Sequence, residues 1–82
     1  MGRGAQEVKS RQYTLRYDDT TNPLYTYIGE AIPGTPTSDP SWRIKRLTNA
    51  DVTVLWAKLP SEETSSDEFN KVWNNRTSYT YQ

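Results

Sequence analysis

Two pairs of adjacent carboxylates are the most obvious candidates for chemistry in this 82-residue sequence: Asp18-Asp19 and Glu62-Glu63. A catalytic pair holds its carboxyl groups several ångströms apart around a substrate and gives them different pKa values. Adjacent residues in a turn instead point apart into water, and turn chemistry favours Asp anyway. No loop has the ligand spacing of an EF-hand calcium site. We therefore interpret both pairs as turn and solubility residues and predict no metal ligands.

The residue types that most enzymes use are missing from the sequence. It has no Cys and no His, which excludes disulfides, thiolate ligands, thiol nucleophiles and the commonest acid–base group. A domain of this length buries only about 60–65 % of the surface of its unfolded chain, which leaves no room for a deep cleft beside a complete core. We therefore predict no catalytic residues, no cofactor and no small-molecule substrate. We do not expect the protein to be an enzyme, and we expect it to act by contact with other macromolecules.

The charges balance overall but are unevenly distributed. Ten basic and ten acidic residues cancel, so the net field provides no general attraction to nucleic acid or to a membrane. The charged residues among the first 17 are mainly basic, whereas those among residues 61–68 are all acidic. No apolar run approaches the ~20 residues of a membrane-spanning helix. We therefore expect no contact with a membrane. We expect the protein to be made in a reducing cytoplasm.

The N-terminal ten residues differ in composition from the rest. They contain Gly2, Gly4 and Ser10 and almost no apolar side chain, so they cannot bury enough surface to order themselves. We predict a flexible N-terminal arm over residues 1–10, which would become ordered on a partner, and a single small β domain over residues 11–82.

Alternating apolar residues and turn signals predict five strands, at 13–17, 24–32, 42–47, 52–56 and 77–81. A loop with three prolines at 33–40 separates the second strand from the third. The tight connection at 48–51 makes strands three and four an antiparallel hairpin, with Trp42 and Trp56 expected to pack across its open end.

A short helix is predicted between the acidic segment and the last strand. Ser65 and Glu68 have the spacing of a capping box, and Phe69, Val72 and Trp73 follow at helical spacing. We expect Asn74-Asn75 to end this helix and its apolar face to pack on the sheet, with Trp56, Phe69 and Trp73 in the core. The predicted fold is mainly β: a small antiparallel β-sandwich or barrel of about five strands with one short C-terminal helix.

Six tyrosines are too many for so small an interior, and Tyr is enriched at protein interfaces. We therefore expect some of them to contact other subunits, together with basic residues and the Pro-rich loop. The interface candidates are Arg3, Lys9, Arg11, Tyr13, Tyr25, Tyr27, Pro33, Arg43 and Lys45.

A nucleic-acid site is one alternative for part of this set. Arg43, Lys45 and Arg46 with Trp42 and Tyr27 combine charge with rings on which bases stack. However, Arg46 falls on the opposite strand face from the other two cations, and the zero net charge lacks the usual basic footprint. Nucleic acid is therefore not an expected partner, and a Tyr-lined carbohydrate site is a further alternative.

A longer pattern covers roughly residues 25–80. A Gly-Glu-Ala-x-Pro-Gly loop at 29–34 leads into Trp-Arg-Ile-Lys-Arg at 42–46, and Trp-Ala follows at 56–57. Phe69, Val72-Trp73, Arg76 and Ser78-Tyr79 complete the pattern, which resembles a group of small virion proteins of tailed bacteriophages. The sequence departs from that group after Trp-Ala, where residues 58–63 replace a short Asp-Gly turn, so contacts of this segment are not carried over.

The resemblance implies a structural role in the virus particle and no reaction. The implied partners are other copies of the chain and other virion proteins, and the implied location is the virion after synthesis in the host cytoplasm. Head, neck, tail and baseplate all remain open as positions. The alternative function is a small β-barrel binding module for single-stranded nucleic acid or glycan.

Overall fold

A computed structural model describes residues 12–82, so Arg3, Lys9 and Arg11 and the predicted N-terminal arm lie outside the described residues. The described residues form five antiparallel strands in one sheet and one 3₁₀ helix, Trp73–Ser78. In sheet order, the strands are β1 (Thr14–Asp18), β2 (Tyr25–Ala31), β3 (Arg43–Thr48), β4 (Thr53–Lys58) and β5 (Thr80–Tyr81). The predicted mainly β class, with about five antiparallel strands and one short C-terminal helix, is confirmed.

The hairpin of the third and fourth predicted strands is also confirmed, as β3 and β4. Thr48 pairs with Thr53 at its closed end, and the Val52 amide donates to the Thr48 carbonyl at 2.8 Å. The Asp51 carboxylate accepts the Thr53 amide at 3.1 Å. Val52 has a φ of 62°, the left-handed conformation that a tight turn demands and that β-branched residues rarely adopt.

The predicted position of the short helix, directly after Ser65, is wrong. Lys71 exchanges two backbone hydrogen bonds with Trp42, at 2.8 and 2.9 Å, and this antiparallel bridge is incompatible with a helix through Lys71. The Ser65 hydroxyl donates to the Gln82 carbonyl instead of capping a helix. A long-range pairing has thus overridden a local helical signal, as tertiary context commonly does.

The 3₁₀ helix begins where the predicted helix was expected to end. Asn74 and Asn75 lie inside it, and the predicted fifth strand is shortened to Thr80–Tyr81. Trp73 is buried, as expected, but Phe69 is 37 % exposed, so the placement of Phe69 in the core is wrong. Phe69 and Trp73 have the i, i+4 spacing of an apolar helix face, but they do not lie on one buried face.

The inner face of the sheet forms the core. The buried apolar residues of the described chain are Tyr27, Ala31, Trp42, Ile44, Ala57, Trp73 and Tyr81. The Trp42 ring lies against Trp73, with centroids 6.0 Å apart, and its indole N–H donates to the Pro36 carbonyl at 2.9 Å. The expected packing of Trp42 on Trp56 is wrong, because Trp56 pairs with Lys45 and points to the opposite face.

The rings of Trp42 and Trp73 both lie against Gly29 on β2. A Cβ atom at this position would lie 2.5 Å from Cε3 of Trp73 and 3.2 Å from Cε3 of Trp42. Real Cβ atoms do not approach other atoms as closely as the first distance. The missing side chain therefore allows both rings to pack directly on the backbone.

Gly29→Ala is expected to destabilise the fold by about 1–3 kcal/mol, because the new methyl overpacks the ring of Trp73. Urea unfolding followed by tryptophan fluorescence measures this cost. In a Trp73→Leu background the same substitution should cost much less, since the clashing ring is gone. An equal cost in both backgrounds would contradict this explanation.

Asp18 joins the edge strand β1 to the 3₁₀ helix. Its side chain accepts the amides of Thr20 and Thr21, both at 3.1 Å, and Nε of Arg76 at 2.9 Å. Burial raises the pKa of Asp18, but these hydrogen bonds outweigh burial and hold that pKa well below its usual value. The ionised form is therefore the one that stabilises the fold.

Asp18→Asn is expected to cost about 2 kcal/mol at pH 7, because it weakens hydrogen bonds made to a charged acceptor. The depressed folded-state pKa makes this contribution complete above the usual Asp pKa of about 3.9 and progressively lost as the pH falls below it. Urea unfolding at several pH values should show the variant and the parent converging in acid. Asp19→Asn, at an exposed neighbour, is the control and should change stability by less than about 0.5 kcal/mol at every pH.

Candidate interaction surface

The outer face of the sheet carries a row of side chains that crosses four strands. Tyr17 pairs with Ile28, Ile28 with Lys45, and Lys45 with Trp56. We call these four residues the central row. Tyr17 is 65 % exposed, and the Lys45 ammonium lies 5.4 Å from the centroid of the Trp56 ring. The row is thus mainly aromatic and aliphatic, with one cation.

Two further rows flank the central row. On one side, Thr26, Leu47 and Val54 pair in sequence. On the other side, Leu15 pairs with Glu30 and Glu30 with Arg43, and Lys58 follows Trp56 on the same face of β4. We call these four residues together with Asp67 the charged row. The three rows form the outer face, on which no strand or helix of residues 12–82 packs.

Arg43 is fixed at one end of this face by rings and carboxylates. Its guanidinium lies 5.1 Å from the Tyr13 ring and 4.7 Å from the Phe69 ring. Its Nε donates to Glu30, and its Nη1 lies 3.9 Å from a carboxylate oxygen of Asp67. A shallow cavity of about 560 Å³ adjoins these rings, between the Pro-rich loop and the start of β1. Arg43 is therefore held in place before any partner arrives.

The structure places the predicted interface residues on different sides of the sheet. Tyr13, Arg43 and Lys45 lie on the outer face, and Pro33 is exposed in its loop. Tyr27 is only 4 % exposed and packs on Tyr81 in the core, so its assignment as an interface anchor is wrong.

Tyr25 lies on the inner face as well. It is half-buried, and the guanidinium of Arg46 covers its ring at 4.0 Å. This contact occupies one face of the Tyr25 ring.

The sequence did not single out most of the outer face. Tyr17, Ile28, Leu47 and Val54 were missed, and Trp56, expected in the core, is half-buried on the outer face. Period-two alternation had grouped Tyr17 with Tyr13 and Leu15 correctly. It could not say which face of β2 or β4 points inward, because both faces of these strands carry large apolar side chains, and on β1 the apolar face is the exposed one.

The predicted turn role is right for one member of each carboxylate pair and incomplete for the other. Asp19 and Glu63 are exposed, whereas Asp18 and Glu62 hold the fold together. Glu62 accepts the Leu59 amide at 2.8 Å and the Asn70 amide at 2.9 Å, and lies 3.4 Å from the buried ammonium of Lys71. The Leu59 hydrogen bond, the Asn70 amide and the Lys71 charge hold the pKa of Glu62 below its usual value.

The basic cluster considered for single-stranded nucleic acid is divided between the two faces. Arg46 lies on the inner face, with its guanidinium 4.0 Å from the Tyr25 ring and 4.8 Å from the Tyr81 ring. Tyr27 and Trp42, the rings proposed for base stacking, are buried. The nucleic-acid alternative therefore loses both its charge cluster and its stacking platform.

Comparison with protein-family models, with curated proteins and with solved structures finds no match to this chain. In the part of the chain that the structure describes, no helix is long and apolar enough to span a membrane, and no three potential metal-ligating side chains come together. The outer face and the residue types are therefore the observations that bear on function.

Tyr17→Ser and Tyr27→Ser are expected to differ sharply in their effect on stability. The free energy of unfolding should change by less than about 0.5 kcal/mol for the exposed Tyr17. Loss of the buried Tyr27 ring should cost about 3–5 kcal/mol. Urea unfolding of the two variants measures both values, and similar costs would contradict the assignment of Tyr17 to an open face.

Proposed function

We propose that this chain is a structural component of a tailed-bacteriophage particle and acts through protein–protein contacts with copies of itself and with other virion proteins. The central row carries the proposal. Tyr17 and Trp56 are of the aromatic types that are enriched at interfaces, and the apolar Ile28 and the cation Lys45 lie between them. The resemblance over residues 25–80 supports the particle as the setting.

The proposal involves no reaction and no cofactor. The chain is made in the host cytoplasm and is then incorporated into the virion. A glycan- or nucleic-acid-binding module is the less supported alternative, because Arg46 and Trp42 serve the interior of the domain.

The presence of the chain in particles is the direct test. Particles of a phage that encodes this sequence are purified through two density gradients and analysed by quantitative mass spectrometry. We expect several copies per particle, with a fixed ratio to the major capsid protein in both gradients. Loss of the chain in the second gradient, as happens for a host contaminant, would refute the virion assignment.

Deletion of residues 1–10 is expected to leave the β domain folded and to weaken incorporation, because these residues contain Arg3 and Lys9 and few side chains that a core could use. Circular dichroism checks the fold, and complementation of a phage lacking the gene measures incorporation. A chain with the same ten residues in scrambled order controls for length and composition. Normal incorporation of the deletion variant would show that the arm has no assembly role.

A further inference from the structure

Val52 adopts a backbone conformation that its side chain does not favour. Its φ of 62° lies in the left-handed region, which Gly and Asn adopt readily and β-branched residues rarely adopt. A residue with a Cβ in this conformation lowers the ratio of folded to unfolded chain by roughly 5- to 30-fold. The turn itself does not require a Val, since its backbone hydrogen bond to Thr48 would form equally well with Asn or Gly at this position.

The Val52 side chain contributes little to the core of the domain. It is 70 % exposed, so burial does not offset the strain. An exposed Val alone needs no explanation. Strained backbone, however, is concentrated at functional sites, where the residue has a task besides folding. The strain therefore indicates that this side chain makes a contact outside the described domain.

A second exposed apolar residue lies at the same end of the sheet. Leu24, in the connection between β1 and β2, is 62 % exposed. The Asn49 amide donates to the Leu24 carbonyl at 2.9 Å, and the Asn49 side chain donates to the Pro23 carbonyl at 3.2 Å. These hydrogen bonds join the connection to the β3–β4 turn, so Leu24 and Val52 are presented on one fixed support.

This end of the sheet carries only negative charge. We call residues 19–24 and 49–52 together the tip. The tip contains the exposed Asp19 and Asp51 and neither Lys nor Arg. Segments that bind a membrane surface combine apolar residues with basic ones that meet anionic lipids, so the charge of the tip is unfavourable for a membrane. It is complementary to a protein pocket with an apolar base and a basic rim.

We propose that the tip is a docking element that inserts Val52 and Leu24 into an apolar, basic-rimmed pocket of a different virion protein. This inference rests on the proposed function and specifies the chemistry of one partner. The strained Val52 carries the argument, and the charge of the tip selects the kind of pocket.

A second copy of the chain is a poor match to the tip. Its described cavity is apolar, with Tyr13 and Phe69 among the lining residues. The cation beside this cavity, Arg43, is already paired with Glu30 and lies near Asp67. Little positive charge remains there for the carboxylates of the tip, so we assign the pocket to another protein.

Three substitutions of Val52 separate the strain from the contact. Val52→Asn relieves the strain and removes the apolar side chain, so it should raise Tm by about 4–8 °C. Val52→Thr keeps the β-branched shape and the strain but is no longer apolar, so its Tm should stay within about 3 °C of the parent. Val52→Ile keeps both properties and is the matched control. Thermal unfolding of the full chain measures Tm, and an unchanged or lower Tm for Val52→Asn would overturn the inference from strain.

Competition for incorporation into particles measures the contact. Parent and variant chains are expressed in equal amounts during infection by a phage that lacks the gene, and mass spectrometry gives their ratio in purified particles. We expect Val52→Asn, Val52→Thr and Leu24→Ser each to fall at least about fivefold below the parent, and Val52→Ile to match it within about twofold. The stabilised Val52→Asn chain is the sharpest case, because its loss cannot be attributed to poor folding. Incorporation of Val52→Asn and Val52→Thr at the level of the parent would overturn the docking contact.

Photo-cross-linking in infected cells tests the partner directly. A diazirine analogue of leucine replaces Leu24 or Val52, and the same analogue at the exposed Glu63, which lies outside the tip, is the control. We expect one other protein to be cross-linked from both tip positions and not from the control position. Cross-linking to a second copy of the chain, to lipid alone or to no protein would overturn the inference.

Failure of the inference and failure of the proposed function have different signatures. A chain that is present in purified particles but whose tip variants compete equally with the parent overturns the docking contact alone. A chain that is absent from particles, while both tip positions cross-link to one other protein in infected cells, overturns the virion role and leaves the docking contact standing.

Discussion

The packing of Trp42 is the interaction on which the rest of the fold depends. The chain after β4 has no long helix or strand to cover the inner face, so it needs an anchor. Trp42 provides this anchor through two backbone hydrogen bonds with Lys71, an indole hydrogen bond to Pro36 and ring contact with Trp73. These contacts hold the Pro-rich loop and the chain around Lys71 over the sheet. Gly29 leaves the space that the two rings require.

Two ion pairs complete this inner layer. Asp18 binds Arg76, which fixes the 3₁₀ helix to the edge strand, and Glu62 lies beside the buried ammonium of Lys71 next to the Trp42 bridge. Breaking such a pair on one side leaves a charge without compensation, which is costly inside a protein. The ion pairs thus lie beside the packed rings of Trp42 and Trp73. Both kinds of contact hold the chain after β4 against the inner face of the sheet.

The outer face of the sheet differs from the covered inner face. Trp42, Trp73 and the bridge to Lys71 lie on the inner side, whereas Phe69 and Asp67 reach the outer face at one end, where they help to order Arg43 and the charged row. The central row beside it ends in the exposed Tyr17. A preordered surface loses little side-chain freedom on binding.

The sequence alone determined the features that depend on neighbours along the chain. Period-two alternation and turn chemistry located the first four strands and the hairpin around Asp51, because these signals act over a few residues. The tertiary structure decided the rest. It replaced the helix expected from Ser65 with an extended segment, since pairing with Trp42 outweighs a local cap, and it buried Tyr27 while leaving Tyr17 exposed. Both faces of β2 and β4 carry large apolar side chains, and on β1 the apolar face is the exposed one, so the segments that pack on the sheet determine which face becomes the core.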